Sequence, residues 1–186
     1  NRHPEVDRMP ILLRQGSAAL SPFRLDALAQ TLAARLGAAT APSVQAAYLY
    51  VLETERPLAP EELRRSDALL GAHGAAAVSC GFFVAPRPGT LSPWCSKATD
   101  IFRNCGLGVV QRVDRAVHFV VAEASGKPLP PAALAPALDV LHDRMTQAVY
   151  PDAAALETLC AHARPAAGRT FDVLAEGREA LVRANR

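Results

Sequence analysis

The sequence lacks the features that mark membrane, nucleic-acid and zinc proteins. A membrane-spanning helix needs about 20 consecutive apolar residues, and no apolar run in this 186-residue sequence approaches that length. The net charge is only +2, and no Lys/Arg run or interleaved aromatic platform appears, which argues against a nucleic-acid partner. The four cysteines, at positions 80, 95, 105 and 160, form no CxxC pair and have no matching histidine spacing. We therefore expect no metal site, no nucleic-acid partner and no membrane partner.

What is present is typical of one globular domain with an appendage. Half of the residues are hydrophobic and a fifth are charged, so the chain can bury a core. Residues 1–8 are polar and include Pro4, so residues 1–9 are predicted to be a disordered lead-in or added residues, with Met9 as a natural start. We place the domain at residues 10–150 and a helical extension at residues 151–186.

Apolar periodicity and end signals predict an alternation of strands and helices. Strands are predicted at residues 11–14, 44–53, 82–85 and 109–123, with a turn at 16–19 and a bend or bulge at 114–115. Helices are predicted from Ser21 to Gly37, at 61–70, from Ser92 to Cys105, from Pro130 to Val149, and at 153–163 and 171–184, with a loop at 165–168. The Pro130 helix rests on a stripe of Leu134, Leu138, Leu141, Met145 and Val149, within which Pro136 allows a later start.

The element order contains an internal repeat. Two similar tetrapeptides, at residues 20–23 and 91–94, each follow a short strand and open a helix that leads to a longer strand and a second helix. One such βαβα unit is too small for a good core. We therefore predict an α+β fold in which duplicated βαβα units share an antiparallel or mixed sheet, with helices packed on it and a C-terminal helical extension.

The segment from Phe83 to Leu107, FVAPRPGTLSPWCSKATDIFRNCGL, carries the most information. Ser92 is a good N-cap, Pro93 fits the first helical position, and Gly106 stands where a glycine ends a helix. The predicted buried face of this helix holds Trp94, Ala98, Ile101, Phe102 and Cys105. The predicted polar face holds Ser96, Lys97, Thr99, Asp100 and Arg103.

This loop and helix form the candidate functional surface, and two interpretations stay open. The residues are Arg87, Gly89, Thr90, Ser92, Trp94, Ser96, Lys97 and Asp100. They are typical of an interface in which Trp94 anchors the loop and Lys97 pairs with Asp100 or with an acid on another domain; this interpretation is favoured. Alternatively, a free-standing module binds an anion or nucleotide at the helix N-terminus near Ser92, with Arg87 and Lys97 adding positive charge.

No catalytic residue is predicted. His118 and His142 have no converging partners that would make either a general base. Cys95 and Cys160 have no neighbouring histidine in the sequence to activate a thiol.

The same segment resembles the N-terminal region of the large, single-chain formylglycinamide ribonucleotide amidotransferases, also called phosphoribosylformylglycinamidine synthases. Their motif, RPGT-hydrophobic-SPWSSKATDI followed by NCGL, is matched here by residues 87–90, 92–94, 96–101 and 104–107. Cys95 stands where that family usually has serine. Weaker matches lie at residues 20–25, 141–145 and 176–181, the last resembling the opening of the family's linker.

The resemblance implies a fold and a role. The N-terminal domain of that family is similar to two copies of the small PurS subunit, which replaces it where the enzyme is split into separate chains. The family makes formylglycinamidine ribonucleotide from formylglycinamide ribonucleotide, glutamine and ATP in the cytoplasm. We expect this chain to be the PurS-like domain with the start of the linker, without turnover or a cofactor of its own. ATP and magnesium belong to the parent enzyme, whose synthetase and glutaminase domains are the expected partners.

Overall fold

The computed structural model describes residues 9–160 and 170–185. Five strands form one antiparallel sheet in the order β1-β2-β4-β3-β5. They are β1 Ile11–Ala18, β2 Ser43–Thr54, β3 Phe82–Pro86, β4 Val110–Ala122 and β5 Gln147–Tyr150. The helices are α1 Pro22–Leu36, α2 Pro60–Leu70, α3 Pro93–Asn104, α4 Ala153–Leu156, α5 Val173–Glu176 and α6 Arg178–Ala184, with 3₁₀ helices at Ala135–Val140 and Glu157–Cys160. The α+β prediction is confirmed.

The two longest strands, β2 and β4, form the centre of the sheet. Their register runs without interruption from Ser43 opposite Ala122 to Glu53 opposite Arg112. Alternate residues point to opposite faces of a strand. Along β2, even-numbered residues pack with α1 or α3, and odd-numbered ones such as Leu49 pack under α4 and the adjoining 3₁₀ helix. The sheet is therefore covered on both faces.

Local end signals in the sequence fix α1 and α3 as predicted. Ser21 caps α1 by accepting the Arg24 N–H, and Gly37 ends it in the left-handed conformation. Leu32, on the predicted stripe of α1, is fully buried against the sheet. Gly106, with φ +74°, follows α3, and the Leu107 N–H bonds back to Phe102.

The repeat is confirmed in its first three elements. The offset of 71 residues between the starts of α1, at Pro22, and α3, at Pro93, recurs between the starts of β1, at Ile11, and β3, at Phe82. Each unit then continues into one of the two central strands. The units therefore meet along the β2–β4 pair.

The second unit does not end in a helix, so the prediction of a helix from Pro130 to Val149 is wrong. The chain instead forms a 3₁₀ helix at Ala135–Val140 and then β5, which pairs with β3. Prolines in this segment remove backbone donors that a regular helix requires. The predicted stripe is divided between a tight turn and a strand, and Met145 is 81% exposed.

Smaller predictions also change. The β2–β4 register shows no bulge at Asp114–Arg115; its irregularity lies at Glu53/Thr54. The predicted turn at 16–19 is mostly strand, because β1 continues to Ala18 with a register shift after Gln15. The helix predicted at 171–184 is broken at Gly177. The predicted loop at 165–168 and the end of the 153–163 helix lie outside the described residues.

Candidate functional site

Helix α3 takes the place of a strand beside β4. The β3–β4 pairing covers only Phe82–Val84, so none of the described strands lies on that side of the earlier part of β4. There Val113 donates its backbone N–H to Thr99 Oγ1 at 3.1 Å. Phe102 of α3 is buried in the same contact region. A hydroxyl on the helix thus satisfies a backbone donor of the sheet and fixes where α3 lies.

The loop before α3 is tied down at several points. The Thr90 N–H and hydroxyl both donate to the carbonyl oxygen of Arg87, at 3.1 and 2.6 Å. The Arg87 N–H donates to the carbonyl oxygen of Thr146, at 3.1 Å. Ser92 Oγ accepts the Cys95 N–H at 3.0 Å. The loop is therefore exposed but conformationally defined.

A buried ion pair lies beneath this loop. Arg112 is 7% exposed and Asp114 is fully buried, and Arg112 Nε donates to Asp114 Oδ2 at 2.5 Å. Arg112 Nη2 donates to the carbonyl oxygen of Thr90 at 2.9 Å. Among the described residues, Asp114 Oδ1 has no hydrogen-bond partner. The pair thus connects β4 directly to the loop backbone.

Three titratable groups around the pair are held neutral. Burial, together with Asp114, raises the pKa of the Cys95 thiol to about 11. Burial, together with Glu53, raises the pKa of Cys160 to about 12. Burial and Asp114 raise the pKa of Tyr150 to about 12, and its hydroxyl donates to the Pro86 carbonyl oxygen at 2.7 Å. Neither thiol is ionised near pH 7, so neither is activated as a nucleophile.

A cleft of about 610 Å³ opens between the loop, α3 and the ends of β2 and β4. Gly89, Leu91, Ser96 and Asp100 line it, and the buried Arg112 contributes to its wall. The wall of the cleft thus contains exposed residues of the loop and α3 together with the buried Arg112 beneath them.

Trp94 lies on the face of the sheet that α1 and α3 cover. Its ring stacks on that of Tyr50, with centroids 6.0 Å apart and planes 16° apart. The Arg115 guanidinium carbon lies 4.9 Å from the Trp94 ring centroid and 4.5 Å from that of Tyr48. Trp94 therefore anchors the start of α3, in line with the interface interpretation.

The predicted site residues differ in exposure. Ser92 and Trp94 are half-buried, whereas six residues are exposed: Arg87, Gly89, Thr90, Ser96, Lys97 and Asp100. Asp100 pairs with Arg103 at 3.3 Å, rather than with Lys97 as the interface interpretation allowed. Two apolar side chains of the loop and α3 are also exposed, Leu91 at 65% and Ile101 at 45%. The prediction that Ile101 is on the buried face is therefore wrong, because Cys95 and Thr99 face β4 in its place.

Sequence reasoning missed three arginine and aspartate positions that organise the site. Arg112, Asp114 and Arg115 were interpreted as part of a strand with a bend, without contacts to the loop. A signal was available for two of them. Arg112 and Asp114 share the parity of the buried Ala116 along β4, so strict alternation predicts that both are inward-facing.

The helix N-terminus has little to offer an anion. Pro93 has no N–H, and the N–H groups of Cys95 and Ser96 are already bonded to Ser92 Oγ and to its carbonyl oxygen. Across residues 9–160 and 170–185, no three His, Cys, Asp or Glu side chains come together as a metal site requires. No helix in those same stretches is long and apolar enough to cross a bilayer.

The sequence also matches a known family. Residues 47–160 fit the family described as formylglycinamide ribonucleotide amidotransferase N-terminal. The matched region contains β3, the loop, α3 and β4, and with them every residue of the site. It covers more than half of the chain, which therefore belongs to the N-terminal domain family of formylglycinamide ribonucleotide amidotransferase, an enzyme of purine biosynthesis.

Proposed function

We propose that this chain is a docking domain of the amidotransferase and carries no chemistry of its own. Its parent would make formylglycinamidine ribonucleotide from formylglycinamide ribonucleotide, glutamine and ATP. The domain packs against the synthetase domain and helps shape its substrate cleft or ammonia path. ATP and magnesium bind to the synthetase part of the enzyme.

The observation that carries the proposal is the docking surface, which we define as Arg87, Leu91, Lys97, Asp100 and Ile101. It includes two exposed large apolar side chains and three exposed charged ones, all from the loop and α3. Apolar groups surrounded by a polar rim are typical of protein interfaces. All five residues of the docking surface lie within the segment from Arg87 to Leu107 that resembles the family motif.

The support beneath that surface strengthens the proposal. Thr90 is held by Arg112, and Trp94 is stacked on Tyr50, so the loop and the start of α3 need little ordering when a partner binds. A preorganised surface binds with a smaller loss of conformational entropy. The buried thiols and the tyrosine beneath it are neutral, which fits a supporting role.

The test is a pair of matched substitutions in the parent enzyme. Ile101→Ser removes an apolar group from the docking surface, and Leu69→Ser removes a comparable one, 42% exposed, from α2 outside that surface. We expect Ile101→Ser to lower ammonia- and glutamine-dependent turnover and to loosen binding between this domain and the remainder of the enzyme. Leu69→Ser should change neither.

Equal effects of the two substitutions would contradict docking through this surface. A second assay addresses the lack of chemistry. The chain alone, supplied with ammonia, ATP and formylglycinamide ribonucleotide, should form no product; turnover by the chain alone would overturn the proposal.

A further inference from the structure

Three nearly buried ionisable side chains line the cleft between the loop before α3, α3 itself and the ends of β2 and β4. They are Glu53, Cys95 and Arg112, which are 5%, 1% and 7% exposed. The cleft has a volume of about 610 Å³, and Leu91 adds an apolar wall. Small-molecule sites usually have volumes of about 300–1,000 Å³ and combine apolar walls with a few polar groups. The cleft therefore has the size and the lining of a ligand site.

Arg112 has donors at this cleft that the fold does not use. Its Nε donates to Asp114 Oδ2 at 2.5 Å, and its Nη2 donates to the carbonyl oxygen of Thr90 at 2.9 Å. A guanidinium has five N–H groups, and two of them are on Nη1. No residue that the structure describes accepts a hydrogen bond from Nη1 of Arg112. Because the other two nitrogens hold the guanidinium in place, a ligand that uses Nη1 requires little reordering of this side chain.

Gln111 provides an acceptor at the same cleft. Its amide nitrogen donates to Glu55 Oε1 at 2.9 Å and to the carbonyl oxygen of Gly108 at 2.8 Å. These two bonds use both N–H groups and fix the orientation of the amide. Its Oε1 accepts no hydrogen bond from the described part of the chain. The lining therefore contains an unused donor group on Arg112 and an unused acceptor on Gln111.

The charges around the cleft favour a neutral ligand. The charge of Arg112 is already compensated by Asp114. The other charged side chains among the described lining residues are the carboxylates of Glu53 and Asp100. A phosphate or carboxylate ligand would add negative charge beside them, and a cation would face the guanidinium of Arg112. The Cys95 thiol in the wall is also uncharged, because burial raises its pKa.

We propose that this cleft binds a small neutral molecule that carries a primary carboxamide on an apolar framework. The carbonyl oxygen of the carboxamide accepts hydrogen bonds from Arg112 Nη1, and its NH₂ group donates to Gln111 Oε1. The apolar framework packs on Leu91. A carboxamide fits because it has an acceptor and a donor on the same carbon atom. Leu91 and Asp100 belong to both the cleft and the docking surface, but the inference does not rest on docking and is tested on the chain alone.

Three molecules of similar shape test the choice of a neutral amide: benzamide, benzoate and benzamidinium. Each is titrated into the ¹⁵N-labelled chain, and NMR follows the backbone amide signals of Gly89, Ser96 and Gln111. Benzamide should shift these signals saturably and should bind about tenfold more tightly than either charged molecule. The absence of a saturable shift with benzamide would overturn the proposal, and so would equally tight binding of benzoate or benzamidinium.

Two substitutions locate the site. Gln111→Leu removes Oε1 and should weaken benzamide binding by about fivefold, without weakening the binding of benzoate, which has no N–H to donate. Gln45→Leu is the matched control, at an exposed position of β2 outside the cleft, and should change neither. Ser96→Phe, at an exposed lining position on α3, should block benzamide by filling the cleft. Benzamide binding unchanged in Gln111→Leu or in Ser96→Phe would contradict the site.

Discussion

Arg112 Nη2 donates a hydrogen bond to the carbonyl oxygen of Thr90 at 2.9 Å, which joins a buried strand to an exposed loop. The same guanidinium is held from behind by Asp114. The shape of the family's signature loop therefore depends on a side chain that lies outside the signature. Substitutions beneath the surface should change the loop without touching its exposed residues.

Replacing Arg112 by lysine tests this dependence. Lysine keeps the charge but loses the fork that reaches Asp114 and Thr90 together. We expect faster amide hydrogen exchange at Arg87 and Thr90, and a loss of about 1–3 kcal/mol of unfolding free energy.

Arg14→Lys is the matched control for that substitution. Arg14 is equally buried, at 7% exposed, and pairs with Asp67 near the opposite edge of the sheet. It should destabilise the fold to a similar extent while leaving exchange in the loop unchanged. Equal loop exchange in the two variants would show that Arg112 does not position the loop.

Thr99 should be essential for seating α3. Thr99→Val preserves the shape of the side chain but leaves the Val113 N–H without its acceptor, which costs about 1–3 kcal/mol. Thr99→Ser retains the hydroxyl and should lower the free energy of unfolding by less than Thr99→Val does. Chemical denaturation of both variants measures the difference, and a serine variant as unstable as the valine variant would contradict the role of this hydrogen bond.

Gly81 should tolerate no side chain. A Cβ there would lie 2.3 Å from the Phe119 carbonyl oxygen, and φ is +95°. Gly81→Ala should therefore lower the unfolding free energy by about 3 kcal/mol or more. Gly89→Ala is the control, because Gly89 also has positive φ but open space around it, and about 1–2 kcal/mol of backbone strain is expected. If thermal or chemical denaturation showed the same loss of unfolding free energy in Gly81→Ala and Gly89→Ala, a steric clash at Gly81 would be contradicted.

The stability of the domain should fall above pH 9. Unfolded cysteine releases its proton near its ordinary pKa of 9, whereas the folded Cys95 thiol, with a pKa of about 11, keeps it. Between the two pKa values the folded state binds more protons than the unfolded state. Each such thiol therefore lowers the free energy of unfolding by up to about 1.4 kcal/mol for every pH unit of increase. Cys160 acts in the same direction.

Cys95→Ser isolates the contribution of one thiol. It replaces the ionisable thiol with the serine that is usual in the family, so the decline in unfolding free energy between pH 9 and 10.5 should become shallower. Denaturation curves at each pH give the slope. If the free energy of unfolding fell as steeply with pH in Cys95→Ser as in the unsubstituted chain, the Cys95 thiol would not be held neutral by the fold.

The elements predicted correctly are those whose signals are local. Ser92, Pro93 and Gly106 mark the ends of α3 through bonds made within a few residues, so sequence alone suffices. The segment from Pro130 to Val149 failed because its apolar spacing suits a helix equally well. The pairing of β5 with β3, more than 60 residues earlier in the chain, decides its structure, and no local pattern contains that information.

The candidate site divides in the same way. The exposed residues from Arg87 to Asp100 were found through the motif that contains them. Arg112 and Arg115 were not found, because a charged residue in a strand usually faces solvent, and their positions depend on Asp114, Tyr48 and Trp94. For Arg112, the alternation of buried residues along β4 was an available signal, whereas the position of Arg115 depends on how β2 pairs with β4 and on where α3 lies.

The continuous pairing of β2 with β4 also affects how the chain folds during its synthesis. Residues 49–54 of β2 are all buried, yet β4 begins only at Val110. As the chain leaves the ribosome, β1 is available to pair with β2 before β4 is, so the other hydrogen-bonding edge of β2 lacks its native partner until β4 emerges. The first repeat therefore cannot complete its core alone, and a pause in translation before Val110 would leave it prone to aggregation.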